Sequence, residues 1–317
     1  MGPTVALAQA EREAGDSRSA SPARVGDALV RGFLVACAVF VVLTTVALLG
    51  FLARTGIRGA AAVGVGALLT GDIWKPEAGV YGGLALIAGT FISAIAAVFI
   101  GAVPAVLASV WLTEFAPRSI RMGYRRVMEI ASAVPSVVYG WLALVYLVPL
   151  MSGLAHAIRG HDAPVTGEGL ASAGLLLGIM IAPTVLLLAL DALSRVPGPL
   201  REASAAVGAS PWQTAFHVSV PYAWRSILVA IFFGFARAAG ETMAVQMVIG
   251  GARRLPTDLL FSPTTTISAQ IVMDMQEARP GSTESDVLFS MALVLLLVSV
   301  AVVLVTRGLS RSKQGAR

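Results

Sequence analysis

"GGLALIAGTFISAIAAVFIGAVPAVLASVWL", residues 82–112, contains no Asp, Glu, Lys, Arg or His. About 20 predominantly apolar residues cross a bilayer as a helix, so this run exceeds one crossing and is tilted or extended past it. Similar runs lie on either side. The first is 29–53, with "FLVACAVFVVLTTVALLGFLA" at its heart, and others fall near 128–150, 169–192, 226–250 and 287–306. Together they predict an all-α polytopic membrane protein of about six transmembrane helices.

Composition supports that fold class. Of 317 residues 56% are hydrophobic and 13% charged, with a mean hydropathy of +0.80; soluble domains carry about 25% charged residues. The net charge of +5 needs no nucleic acid, because Lys and Arg gather at the cytoplasmic ends of membrane spans. Cys37 is the single cysteine, which leaves no disulfide within the chain, and His156, His161 and His217 have no metal-ligand spacing. Residues 1–28 are polar, lack the features of a secretory signal, and are expected to be a disordered cytoplasmic tail. Residues 29–310 form the six-span domain, and 311–317 a short C-terminal tail.

Basic residues orient the chain. Arg118, Arg121, Arg125 and Arg126 share a side with Arg195, Arg201, Arg225, Arg307 and both termini, whereas the other side is poorer in Arg and Lys. The positive-inside rule therefore predicts both termini in the cytoplasm.

The loop at about 195–225 falls on that inner side and carries several helix signals. Pro197 and Pro199 end the fourth span, and "LREASAAV" is a short helix with Glu202 near its start. Gly208 suits a left-handed stop, Ser210 an N-cap with Pro211 in the first turn, and Pro221 is expected to stop this second short helix. Such a loop either packs on its own spans or docks a cytoplasmic partner.

The fifth run contains "FARAAGETMAVQMVIG", 235–250, with Arg237 and Glu241 inside it. Read as one helix entered near Ser226, the run puts Arg237 roughly 16 Å deep, close to the midplane. A charge there costs about 2.5–3.5 kcal/mol on the lenient scale and must face protein or water. Glu241, one turn on, is placed to neutralise it. The pair either marks a transport pathway or fixes helix register; stability alone is a weak reason for it, since apolar residues often do as well.

The spacing Glu202, Ala203, Ser204, Gly208, Val218, Val220, Pro221 resembles the E-A-A…G…I-x-L-P loop of ABC-importer permeases, with Ser and two Val as mild departures. "RAAGETMAV" (237–245), "ASAVPSVVYG" (131–140) and "WKPEAGVYGG" (74–83) resemble the phosphate-specific permeases of the PstC type. Gly251 stands where that family has Asn. The resemblance implies a type I ABC-importer permease fold and makes Glu202, Ala203, Gly208, Val218 and Pro221 the loop that couples to an ATPase. It also implies a homologous PstA-type permease, two ATPase copies, an extracytoplasmic phosphate-binding protein and a bacterial plasma-membrane location.

The chain has no G-x-x-x-x-G-K-[ST] around Lys75 or Lys313, so ATP and Mg would be bound by the separate ATPase and no cofactor by this chain. No catalytic Ser/His/Asp set is recognisable, and the chain reads as a transport subunit rather than an enzyme. The resemblance implicates Arg237 and Glu241 in phosphate passage, and a planar guanidinium suits two phosphate oxygens. Pro135, Ser136 and Tyr139 are a second candidate wall, with an ordinary packed kink as the alternative. Glu129, read as the first turn of the third span, and Asp191 are expected to be structural. A permease for another oxyanion and an ion-coupled anion transporter are the competing readings.

Overall fold

The structure is a computed structural model that describes residues 22–160, 166–258 and 260–311. Most of the predicted N-terminal tail (1–21), the C-terminal 312–317 and His161 lie outside the described residues. Among the described residues six helices are long and apolar enough to cross a membrane: span 1 Leu29–Val63, span 2 Leu84–Glu114, span 3 Ser136–Arg159, span 4 Leu170–Ser194, span 5 Pro211–Gly240 and span 6 Thr283–Gly308. Successive crossings give the molecule two sides. One carries the described residues of 64–83, 160–169 and 250–282, called here the hairpin side; the other carries 115–133 and 195–210, the loop side; 134–135 and 241–249 lie between them.

Several boundaries differ from those predicted. The first helix begins at Pro22 and runs to Val63, so 22–28 are helical and not tail. Its described side chains from Leu29 to Phe51 are exposed and mostly apolar, as expected of a helix made for lipid or another membrane helix. The chain divides into two compact units at Leu52 and Ala53.

Within the second unit, span 4 is the centre. Two thirds of its most apolar window is buried, against spans 2, 3 and 5 in a cluster that includes Ala97, Leu177, Ile181, Val185 and Val245. Close approach depends on Gly101, where a Cβ would lie 2.1 Å from the Gly178 carbonyl oxygen; small residues let membrane helices touch backbone to backbone. A second cluster on the hairpin side joins Leu68, Trp74 and Tyr81 to Ile267 and Leu288, and a third, on the loop side, joins Val110, Leu193 and Ala215 to Ile227.

Prolines in these spans do not end helices. Val98–Ala102, Ala143–Leu147 and Ala215–Ser219 are wide π turns, each followed by a Val-Pro pair: Pro104, Pro149 and Pro221. In each, the Val N–H donates to the carbonyl five residues back, of Val98, Ala143 and Ala215 respectively. A proline removes one N–H and clashes with the carbonyl four residues back, and a widened turn absorbs both faults without breaking the rod. Pro221 therefore lies inside one helical run from Pro211 to Gly240 and does not stop it.

Span 3 is also re-bounded. The predicted 128–150 splits at Val134 and Pro135, both extended (ψ 130° and 138°), because a residue before proline is steered out of the α region. A separate amphipathic helix, Arg118–Ala133, precedes it, so Glu129 lies near that helix's end and not in the first turn of span 3. Arg125 ties Glu129 (2.9 Å) to Asp191 at the end of span 4 (2.8 Å). These hydrogen bonds, first with Glu129 and then with Asp191, push the Arg125 pKa further up.

Candidate functional site

The fifth span ends ten residues before its predicted limit. Its last helix closes at Gly240, Glu241 is extended (φ −68°, ψ 130°), and a short helix, Met243–Gln246, follows. Glycine costs about 1 kcal/mol relative to Ala inside a helix, and Thr offers the backbone a competing partner. Here the Thr242 hydroxyl donates to the Gly240 carbonyl at 3.2 Å. The freed Glu241 carbonyl accepts from Ser268 Oγ at 2.9 Å. Beyond the break Ala244, Val245, Val248 and Ile249 are buried, whereas Gly240 is exposed and Glu241 and Thr242 are half-buried, so at membrane depth this backbone needs water or another protein surface over it.

This break corrects the expected ion pair. Arg237 and Glu241 are not stacked on one helix and are not ion-paired. Arg237 lies in the last helical turn, a place that favours a cation, and its side chain is exposed on the lone chain with no hydrogen-bond or ionic partner among the described residues. The Glu241 carboxylate faces the Ala244 N–H at 3.5 Å.

The two interrupted spans meet. A Cβ on Gly140 would lie 2.8 Å from Ala244 Cα, so span 3 just past its break packs directly on the short helix past the break in span 5. Tyr139 reaches back over its own break, its hydroxyl donating to the Ala131 carbonyl at 2.9 Å. Pro135 is exposed in the break, and Ser136 is the first residue of the helix beyond it. "AVPSVVYG" and "RAAGETMAV", read as separate candidates, are thus neighbours.

The loop side holds the other candidate residues. The helix Gly198–Ala206 carries Glu202 and Ala203 on an exposed face, and Gly208 takes φ 82°, as a left-handed stop requires. Ser210 caps the next short helix in a reciprocal box with Gln213. Val218 sits half-buried in the wide turn before Pro221. No group of three His, Cys, Asp or Glu able to hold a metal occurs among the described residues.

Sequence reasoning missed two polar centres. On the hairpin side Asp274, 4% exposed, accepts from Trp74 Nε1 (2.8 Å), Arg253 (2.7 Å) and Gln270 Nε2 (2.7 Å). Burial, then the charges of Glu284 and Asp274, pushes the neighbouring Tyr81 phenol above its ordinary pKa. On the loop side, Arg201 pairs with Glu114 at 2.9 Å. The one available signal was an isolated acid in each apolar surrounding, "VMDM" and "WLTEF".

Six apolar spans, two of them meeting beside a helix break, and a two-helix loop on one side describe a multi-pass membrane subunit of the permease kind. The family described as binding-protein-dependent transport system inner membrane component matches residues 97–313, and the chain belongs to it. It is 35% identical over 291 residues to the probable ABC transporter permease protein YqgH of Bacillus subtilis, covering 90% of this chain and 92% of that one. Identity is 32% over 251 residues with the phosphate transport system permease protein PstC of Mesorhizobium japonicum, covering 75% and 76%. With the PstC protein of Xylella fastidiosa strain 9a5c it is 34% over 248 residues, covering 74% and 75%. The solved inward-facing MetNI methionine ABC transporter (native crystal form) aligns with a TM-score of 0.51 at 20% identity, covering 75% of this chain and all of that one. This likeness shows the type I importer permease fold.

Proposed function

We propose that this chain forms half of the translocation pathway of an ATP-driven inorganic phosphate importer. The observation that carries the reading is Arg237: a guanidinium in the last turn of span 5, beside the break, exposed on the lone chain and with no partner among the described residues. Such a charge needs water or protein opposite it, and a planar fork of donors suits two oxygens of an anion. The PstC names of two relatives support phosphate as that anion.

In this reading a homologous PstA-type permease completes the path, and Ser136, Pro135 and Tyr139 line it beside Arg237 and Glu241. An extracytoplasmic phosphate-binding protein delivers to the hairpin side, and the protein is multi-pass in a bacterial plasma membrane with both termini cytoplasmic. Glu202, Ala203, Gly208, Val218 and Pro221 belong to the loop that docks in one of the importer's two ATPase copies, which bind ATP and Mg. ATP binding closes the ATPases and tilts the loop so that the path opens outward; hydrolysis resets it. Glu241 keeps the vacant path from holding phosphate too tightly, since a carboxylate repels it at low dielectric.

The test is uptake into proteoliposomes holding the whole importer. Phosphate should accumulate only with ATP inside, at a rate indifferent to an uncoupler, with sulfate and methionine excluded. ATP-driven uptake of another oxyanion would move the chain to that substrate, and loss of uptake with an uncoupler would make it an ion-coupled carrier.

A further inference from the structure

We infer that Arg201 and Glu114 form a positioning link that makes the Gly198–Ala206 helix move as one body with the loop-side ends of spans 2 and 4. The inference rests on reading this loop as the one that receives the ATPase.

Glu114 is the last residue of its helix and its side chain is 7% exposed. Both facts are unfavourable for a carboxylate: the helix end is already negative, and burial strips water from the charge. Arg201 supplies the compensation. Its Nη2 lies 2.9 Å from Glu114 Oε1 and 3.0 Å from the Leu193 carbonyl, and its Nη1 3.2 Å from the Val196 carbonyl. Leu193 is in the last turn of span 4, where carbonyls lack intrahelical partners. One guanidinium thus gathers acceptors from the ends of two spans, a task its fixed fork performs and a lysine ammonium does not.

The second short helix is tied to the same place. Trp212 stacks on Phe115, the residue after Glu114, at 5.9 Å, and on Phe216 at 4.4 Å. Ser204 and Thr214 share a hydrogen bond of 2.9 Å between the two short helices. The opposite face, Glu202, Ala203, Ala205 and Val207, is exposed. A force on that face therefore reaches spans 2 and 4 through Arg201. Without the link, the helix would pivot between Pro197 and Gly208 and the motion would be lost.

The test uses the assembled importer with Cys37→Ser and spin labels at Trp111→Cys and Ala205→Cys. Between nucleotide-free and ATP-bound states the label distance should stay within about 2 Å, whereas a pivoting helix would shift by about 5 Å or more. Separately, Glu114→Gln and Arg201→Gln should each raise ATP consumed per solute imported by at least about fivefold, the low end of coupling between sites. The double variant should be no worse than either single one, and Arg201→Lys should fall between. A 5 Å shift in the labelled protein, or an unchanged ATP-to-solute ratio in variants that assemble, would overturn the link. If the variants do not assemble, the distance decides alone. A wild-type complex that imports no phosphate would count against the proposed substrate and leave the distance result standing.

Discussion

At the scale of single residues, two charges stand in apolar surroundings, Arg237 in the last turn of span 5 and the buried Asp274 on the hairpin side. A charge in a span is visible in any sequence, and Arg237 stood out for that reason. Its geometry was not visible, because the i, i+4 argument assumes a continuous helix and Gly240-Glu241-Thr242 ends it. Asp274 was hidden for a different reason: Trp74, which donates to it, is 200 positions away, and no local periodicity brings them together. Its buried carboxylate with three donors sets a large expected cost. Asp274→Ala leaves Arg253 with Glu77 at 3.8 Å and strands two buried donors, Trp74 Nε1 and Gln270 Nε2; at about 1–3 kcal/mol for each, the loss should reach roughly 2–6 kcal/mol. Thermal unfolding of the detergent-purified chain should show this loss, while Trp74→Phe, removing one neutral donor, should cost about 1–3 kcal/mol. Equal stability for wild type and Asp274→Ala would mean that the hairpin side is held by apolar packing alone.

At the scale of elements, the existence of each span was legible and its ends were not. Apolar length identified all six, but Pro221 was read by its effect on an ideal α-helix, and it sits, like Pro104 and Pro149, after a wide turn that absorbs that effect. Turn chemistry fared better: the Gly208 stop and the Ser210 cap both stand where sequence put them. Gly208 also allows a sharp prediction. A Cβ there meets nothing within 4 Å in this chain, so Ala and Leu should suffer the same left-handed penalty of roughly 1–2 kcal/mol. If the ATPase covers this glycine, Gly208→Ala should keep most coupling, whereas Gly208→Leu should release the ATPase or uncouple it, read by co-purification and by solute-stimulated hydrolysis. Identical behaviour of the two variants would place the docking surface elsewhere.

At the scale of the whole molecule, the fold and the family were legible because a permease must announce its spans, and its loop motif carries fixed spacing. The pathway was not, since in the proposed function a second permease supplies its other half. In this chain spans 3 and 5 meet beside their breaks, at Gly140 and Ala244, and Arg237 nearby has no hydrogen-bond or ionic partner among the described residues. The proposed function requires this cation to meet the transported anion. The measurement is ATP-driven phosphate uptake in the reconstituted importer carrying Arg237→Gln together with Glu241→Gln, at matched amounts of assembled complex. The single variant Arg237→Gln should lose nearly all uptake, and removing the Glu241 charge as well should not bring it back, since the anion still lacks its cation. Full uptake by the double variant would show that phosphate passes without a cation at this position, and would overturn the role given to Arg237.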